Sequence, residues 1–390
     1  MTSEDQPTKY QFLSIDEECE KWATSCQDDT DGAPPCFAIL SQFYDELMIS
    51  TFPLEEERDD LEDWFQCFHF QIKQVRWRQQ GRENKDMQGL TDEEILLLRG
   101  NAMDVVIMIA DNAGDKVSPS APTRQLDHQA SSFAGLYAPN ASNSSTCGSS
   151  KPTIIGAAAV EYYKESRVGL LSYIVLHPDF RGQGLAAPLH KEALSRLTRL
   201  SSLYSTTKDC KPLMQAVFAE TNTAAAGDVS PEQSLLRHKS LNKLGYRLVN
   251  FPYAQPPLST KDVDASFDDL LLLVYFPGRG EVTEDHAHKY CPWYQNHSSD
   301  TESVQLDVNI PFHYVEDFYK SVFGYNSVEE QSLGIPDYRD AKYYKLAEWF
   351  CKHKCNSGLV DVELCSPPWE DCKEALYLEM ADWNQSNEGH

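Results

Sequence analysis

Apolar and polar positions fall into two rhythms along this chain. AMDVVIMIA (Ala102 to Ala110) is a continuous apolar run rich in β-branched residues, the pattern of a strand buried on both faces. TIIGAAAVEYY (Thr153–Tyr163), LLSYIVL (Leu170–Leu176), LMQAVFAE (Leu213–Glu220), YRLVNF (Tyr246–Phe251) and DDLLLLVYF (Asp268–Phe276) read the same way, and YQFLSI (Tyr10–Ile15) is a shorter candidate. The brief KESRVG connection makes the strands on either side of it antiparallel neighbours. The other rhythm is helical. It covers Cys36–Met48, Leu54–Val75, a stretch ending near Leu200, and Ser230–Gly245. In the second of these, Leu61, Phe65, Phe68, Ile72 and Val75 form one apolar stripe, and Glu55, Glu56 and Glu57 stand where a helix dipole favours negative charge. In the last, Ser230 can cap, Pro231 suits the first helical position and Gly245 suits the exit. The order is strand, two helices, three strands, helix, strand, helix, two strands. It predicts an α/β (α+β) fold in which one mixed sheet is flanked by helices.

Composition divides the chain. Residues 1–35 are polar apart from the short strand candidate. Residues 36–276 carry the domain, interrupted at 111–152 by a Ser-, Ala-, Asn-, Gly- and Pro-rich segment that reads as a disordered insertion. Residues 277–390 hold many aromatics and two helical patterns, VEDFYKSVF and KYYKLAEWFCKH, and are expected to form a folded, mainly helical C-terminal extension.

Charge and cysteine usage narrow the setting. The net charge of −26 repels nucleic acid and anionic lipid, so neither is an expected partner, and it favours cationic ones. No apolar run approaches the ~20 residues of a membrane helix. The start, MTSEDQPTKY, lacks the apolar core of a secretory signal, which predicts a cytoplasmic protein, with the nucleus also open. The 11 cysteines then read as free thiols, and the sequons at Asn140, Asn143, Asn296 and Asn384 as chance matches. Cys351, Cys355, Cys365 and Cys372, with His353, lack the paired C-x2-C knuckles of well-formed zinc sites. They are expected to be buried helical thiols, and no metal is expected.

The distinctive chemistry lies in LHPDFRGQGLAAPLHKEAL (Leu176–Leu194), an arginine and two glycines between an apolar strand and a helix. Glycine at 182 and 184 lets backbone N–H groups point into the turn, and the helix that follows adds unpaired N–H groups and the positive end of its dipole. Together they form an anion site suited to phosphate or pyrophosphate, with Arg181 at its mouth. A Walker A loop would need Gly-Lys-Ser/Thr where Leu185 and Ala186 follow Gly184. A dinucleotide fingerprint would need a parallel β-α-β context, and here the motif follows an antiparallel hairpin.

RGQGLA, in this strand-to-helix setting, resembles the Arg/Gln-x-x-Gly-x-Gly/Ala loop of the GNAT N-acetyltransferase superfamily through Arg181, Gly184 and Ala186. NKLGYR (Asn242–Arg247) resembles that family's Lys-Leu-Gly-Phe turn, and the order of elements from Tyr10 to Phe276 is similar throughout. The resemblance implies a mixed, mostly antiparallel GNAT-type sheet and acetyl-CoA as co-substrate. The amides of Arg181, Gly182, Gln183, Gly184, Leu185 and Ala186 would hold its pyrophosphate, and the backbone of Ile174, Val175 and Leu176 would pair with its pantetheine arm like an added strand. Pro188 costs little only within the first turn of a helix, so the helix is expected to begin within a residue or two of Gly184.

Acetyl transfer to an amine needs a base, a polarised thioester carbonyl and often an acid for the departing thiolate. The family's usual tyrosine acid falls on Leu241 and a common glutamate base falls near Leu170, so both are missing. Tyr173, Tyr246 or Tyr253 are the phenols that can substitute. Glu161 and Glu220, each at the end of an uncharged run, are the carboxylates expected to bind or deprotonate the acceptor. FPYAQPPL (Phe251–Leu258) is a rigid proline-rich loop whose Tyr253 and Gln255 can line the acceptor pocket. The expected acceptor is an amine, either a cationic small molecule or a lysine-bearing peptide. The alternative is a catalytically inactive acyl-CoA-binding or scaffold protein of the same fold, suggested by the absent tyrosine at Leu241.

Overall fold

The computed structural model describes residues 9–25, 33–52, 58–80, 101–110, 152–204, 214–223, 229–249, 253, 270–277, 303–323, 350, 351, 354 and 359–363. The expected insertion at 111–152 lies outside them apart from Pro152, and so does Gln255.

The apolar runs form the sheet that their composition predicts. Strands β1 (Tyr10–Ser14), β2 (Asn101–Ala110), β3 (Ile154–Tyr163), β4 (Val168–Leu176), β5 (Val217–Asn222), β6 (Arg247–Val249) and β7 (Leu270–Tyr275) lie in the order β1-β2-β3-β4-β5-β7-β6. All neighbours are antiparallel except β4 and β5, which run parallel. This is the mixed, mostly antiparallel sheet that the resemblance implies. β2 and β3 are buried along nearly their whole length, which explains why their sequences show no alternation.

Helices cover both faces. Along β3, Ala157 and Ala159 face a core made with α1 (Ile15–Ser25), α2 (Cys36–Phe43) and α3 (Leu61–Gln79). Ala158, Val160 and Tyr162 face the opposite core, with Leu189, Ala193 and Leu197 of α4 (Ala186–Tyr204) and Leu241 of α5 (Pro231–Lys243). Alanines in the middle of β3 let helices approach the sheet closely. Gly156 answers a tighter constraint, because a Cβ there would stand 2.4 Å from the Val175 carbonyl oxygen on β4. Helix α5 has the cap its sequence foretells: Ser230 accepts from the Gln233 amide and Gln233 reaches back to the Ser230 amide.

Several elements depart from the sequence pattern. Residues 15–25 form α1, although the region reads as merely polar. Its three buried apolar residues, Ile15, Cys19 and Ala23, recur every fourth position and are diluted by Asp16, Glu17, Glu18 and Glu20. Through β1 and α1, the polar segment 1–35 therefore adds an edge strand and a helix to the core of residues 36–276. α3 begins at Leu61 and not at the glutamates, because Asp60 is extended (φ −69°, ψ 139°). The chain after α2 widens into a π turn over Tyr44–Met48 before one last turn at Ile49–Thr51.

The extension beyond Pro277 supplies α6 (Asn309–Phe323), as its pattern predicts, and also two strands, β8 (Ser303–Asp307) and β9 (Leu359–Glu363). They prolong the sheet from β6 in the order β6-β9-β8, making nine strands. Tyr314, Val315 and Phe318 of α6 pack with Phe218, Val274 and Tyr163. Since Tyr163 and Ala159 are an even number of residues apart on β3, α6 lies on the same sheet face as α1–α3. Cys351 is exposed, which corrects the expectation of a buried thiol, while Cys355, Cys365, Cys372 and His353 lie outside the described residues. No helix among the described residues is long and apolar enough to cross a membrane.

Replacing Gly156 by alanine is expected to lower stability by about 1–3 kcal/mol, the usual cost of overpacking, since the nearest neighbour is backbone on a paired strand. A lower urea midpoint with an unchanged slope is the check; an unaltered midpoint would contradict the close approach of β3 and β4.

Candidate active site

The site forms where the sheet comes apart. β4 and β5 pair only over Gly169–Leu171 and Val217–Ala219. Beyond Leu171 the two strands no longer share a ladder, although β4 runs on to Leu176 beside β3. A bulge helps cause this: Ala159 pairs with Tyr173 and Val160 with Leu171, so Ser172 is an extra residue in β4. Bulges bend a strand and shift its alternation. Here Ser172 and Tyr173 both turn toward the α1–α3 face, where Ser172 donates to Glu161 and Tyr173 joins the helix-side core. Past the bulge, the His177 amide bonds the Ile155 carbonyl on β3. By the two-residue alternation of strand hydrogen bonding, Ile174 and Leu176 then direct their backbone groups away from β3, into the opening. Val175 directs its own toward β3, its carbonyl close against Gly156.

The glycine turn closes one end of this opening. Gly182 and Gly184 both have φ of +77°, and no atom lies within 4 Å of where their Cβ atoms would be. That backbone suits glycine and leaves clear space over the turn. α4 begins at Ala186, so Pro188 lies in its first turn at little cost. Arg181 Nε donates to the Leu176 carbonyl at 3.0 Å, bracing the turn against the end of β4. Leu185 is buried, while 181–184 are exposed. The residues present fit a pyrophosphate: a Cβ-free turn, the first-turn amides of a 19-residue helix and one arginine.

On the other side of the same opening, three carboxylates converge around Tyr173. Glu161, on β3, accepts from Ser172 Oγ at 2.6 Å, from Tyr163 Oη at 3.0 Å and from Asn101 Nδ2. Three donors fill most of the roughly four acceptor positions of a carboxylate, so Glu161 is held firmly. Glu220, on β5, accepts from the hydroxyls of Tyr253 and Tyr314, both on Oε1, the latter at 2.6 Å. Oε2 takes no hydrogen bond among the described residues. Asp59, in the extended segment before α3, accepts from Trp64 Nε1 at 3.2 Å, and its amide donates to the Tyr173 hydroxyl at 3.1 Å.

Burial dominates the electrostatics. It raises Asp59 to about 7, with further upward push from the Glu161 charge. It raises Glu220 to about 7 as well, against the pull of the two tyrosine hydroxyls and helped by the Glu161 and Asp59 charges. Burial also holds the Tyr173 phenol well above its usual range, with Asp59, Glu161 and Glu220 all adding to it. The arrangement can exchange a proton near neutral pH and attracts positive charge. Among the described residues no group of His, Cys, Asp and Glu is arranged to hold a metal ion.

The structure brings Glu161, Glu220 and Tyr253 together, and places Ile174–Leu176 and the Arg181–Ala186 turn along the same opening. Tyr246 is elsewhere: it is buried on the opposite face, against His190 and Tyr275. Leu241 is buried in that same core. Leu170 is the register partner of Glu161, so a carboxylate absent at 170 is present directly across the ladder. Three participants were missed. Asp59 reads as part of a helix, Tyr314 lies in the extension 94 residues from Glu220, and Ser172 faces Glu161 only because of the bulge. No local sequence signal marks any of them.

No family model matches the chain, and no curated protein matches it. Among solved structures, nourseothricin acetyltransferase aligns at 11% identity with a TM-score of 0.24, covering 45% of this chain and 65% of that one. The present chain thus spans just under two thirds of that relative's length. A "Putative acetyltransferase from GNAT family from Bacteroides thetaiotaomicron" aligns at 14% identity with a TM-score of 0.29, covering 65% of this chain and 86% of that one. The strand order and the glycine turn agree with the resemblance drawn from the sequence.

Glu220 and Asp59 titrate higher in the folded chain than in the unfolded one, so protons favour folding. Their contribution is fully present below the unfolded values and is lost as pH rises through about 7. Glu220→Gln removes one of the two. The stability difference between pH 4.5 and pH 7.5 is expected to shrink by on the order of 1–3 kcal/mol, read from urea unfolding at each pH. An identical pH dependence in both proteins would refute the raised titration of Glu220.

Proposed function

We propose that this protein is an acetyl-CoA-dependent N-acetyltransferase acting on a cationic amine by direct attack on the thioester. The observation that carries the reading is the opening between β4 and β5, with a phosphate-suited glycine turn at one end and buried carboxylates at its side. In this reading the amides of 181–186 hold the pyrophosphate. The Ile174 and Leu176 backbone pairs with the pantetheine arm, and the amide near Leu176 polarises the acetyl carbonyl.

Glu161 and Asp59 hold the ammonium of the acceptor. Glu220 takes its proton at Oε2, the oxygen that accepts no hydrogen bond among the described residues. The freed nitrogen attacks the carbonyl carbon, a C–N bond forms, the C–S bond breaks, and the nitrogen sheds its second proton to water as the neutral amide forms. Tyr253, hydrogen-bonded to Glu220, gives its proton to the thiolate and recovers one from Glu220. Tyr253 suits this step better than Tyr173 because it is the one of the two that donates to Glu220, while the Tyr173 hydroxyl accepts from the Asp59 amide. The acidic surface, with net charge −26, draws cationic acceptors to the site, whether small amines or lysine-bearing peptides.

One observation favours a second reading, a non-catalytic acyl-CoA binder: position 241, where the resembling family carries its acid, is a core leucine. Thiol release over a panel of amines separates the two. Gly184→Asp is expected to weaken acetyl-CoA binding at least about tenfold, since it adds a negative charge at a positive-φ position. Glu161→Gln with Glu220→Gln is expected to lower kcat by about 10²–10⁴ while leaving acetyl-CoA affinity intact. Turnover of the wild type should rise with pH as Glu220 loses its proton near 7. Tight acetyl-CoA binding with no thiol release on any amine would favour the binder, and no binding of acetyl-CoA to the folded protein would end both readings.

A further inference from the structure

α6 of the C-terminal extension does more than lengthen the fold. Its Tyr314 is fully buried and spans from the extension to the carboxylate centre, donating to Glu220 Oε1 at 2.6 Å. The ring is held on three sides. It stacks on Phe218 of β5 (centroids 4.7 Å apart, planes at 21°) and on Tyr253 (6.5 Å, 17°), and meets Tyr163 edge-on (5.7 Å, 81°). One turn later Asp317 accepts from the Ser166 amide at 2.8 Å, pinning α6 to the β3–β4 turn. Phe318 packs against Tyr163, whose hydroxyl donates to Glu161. A single helix face from outside the seven-strand core thus touches the partners of both glutamates.

We propose that Tyr314 is a positioning residue for Glu220, so that the C-terminal extension forms part of the acid–base centre and not an appended module. The inference rests on the proposed role of Glu220 as base, but its geometry stands without it. Two phenols on one carboxylate oxygen fix the rotamer of Glu220 and leave Oε2 as the oxygen that exchanges a proton. Tyr253, which follows β6 in the chain, takes the proton-passing role in the proposed reaction. Tyr314 is locked by stacking and by the Asp317 anchor, so it serves as a fixed donor. A donor to a carboxylate favours the charged form. The groups that bear on Glu220 are Tyr253 and Tyr314 by hydrogen bond, and Glu161 of β3 and Asp59 before α3 by charge. Tyr173 of β4 stands among the same carboxylates, and Tyr163 borders Tyr314.

The test follows the Glu220 carboxyl directly, by ¹³C NMR titration of glutamate-labelled full-length protein, assigned with Glu220→Gln. Tyr314→Phe keeps the ring and removes the donor, and is expected to move the Glu220 titration upward by about half a unit or more. Replacing Tyr314 with 3,5-difluorotyrosine, a stronger donor of nearly the same shape, is expected to move it downward. A purely structural role for the ring would move neither in this paired sense, and unchanged titrations in both proteins would overturn the proposal. In turnover, Tyr314→Phe should shift the rising limb of the pH–rate profile by the same amount and lower kcat about 5–50-fold, with KM for acetyl-CoA unchanged. Opposite NMR shifts in a protein that acetylates no amine would uphold the positioning of Glu220 and refute only the transfer reaction.

Discussion

The early end of the β4–β5 ladder is the constraint on which the rest of the site depends. Three register pairs join the two strands, and then the backbone groups of Ile174 and Leu176 face an opening. An interior strand edge left open is costly in most sheets because unpaired N–H and C=O groups lose water without gaining partners. Here the opening is maintained from both sides. β4 stays anchored to β3 through a bulge, and β5 is drawn into its six-residue ladder with β7. The bulge lies where the β4–β5 register stops, and it turns Ser172 and Tyr173 to the same face. A single extra residue thus marks the start of the gap and furnishes one wall of it.

The carboxylate centre is the second consequence. Asp59, Glu161 and Glu220 come from three distant segments and meet around one phenol, where burial and mutual repulsion both oppose ionisation. The fold tolerates this because each carboxylate is met by donors: Trp64 for Asp59, Ser172, Tyr163 and Asn101 for Glu161, Tyr253 and Tyr314 for Glu220. Such a centre is least comfortable empty and fully charged. An ammonium ion placed among the three would relieve the repulsion, which is the physical ground for the cationic acceptor proposed above.

The extension is integrated at two levels. β9 and β8 carry the sheet onward from β6, and α6 covers the face next to the N-terminal helices. The carboxylates consequently sit on one face of the sheet, beneath helices of different origin, α1–α3 and α6. Residues far apart in the chain are thereby brought to bear on the same few oxygens.

Local pattern was enough to determine the elements and the turn. Continuous β-branched runs have little choice but to form buried strands, Ser230 and Pro231 start a helix wherever they precede an apolar stripe, and glycines at 182 and 184 permit a backbone that other residues resist. The order of these elements implied the sheet, and two glutamates at the ends of uncharged runs were visible as candidates. What lay beyond local reach was decided by packing. Whether residues 15–25 form a helix depended on a core waiting for Ile15, Cys19 and Ala23. Where α3 begins depended on Asp60 being extended, next to Asp59 with its bonds to Tyr173 and Trp64. That Tyr253 faces Glu220 while Tyr246 faces the opposite core depended on which side of the sheet each reached. Residue type and spacing act over a few neighbours, and so the chain alone determined its strands, helices and anion-suited turn. Long-range packing sets register, bulges and facing, and so only the tertiary structure decided which carboxylates and phenols would share one site.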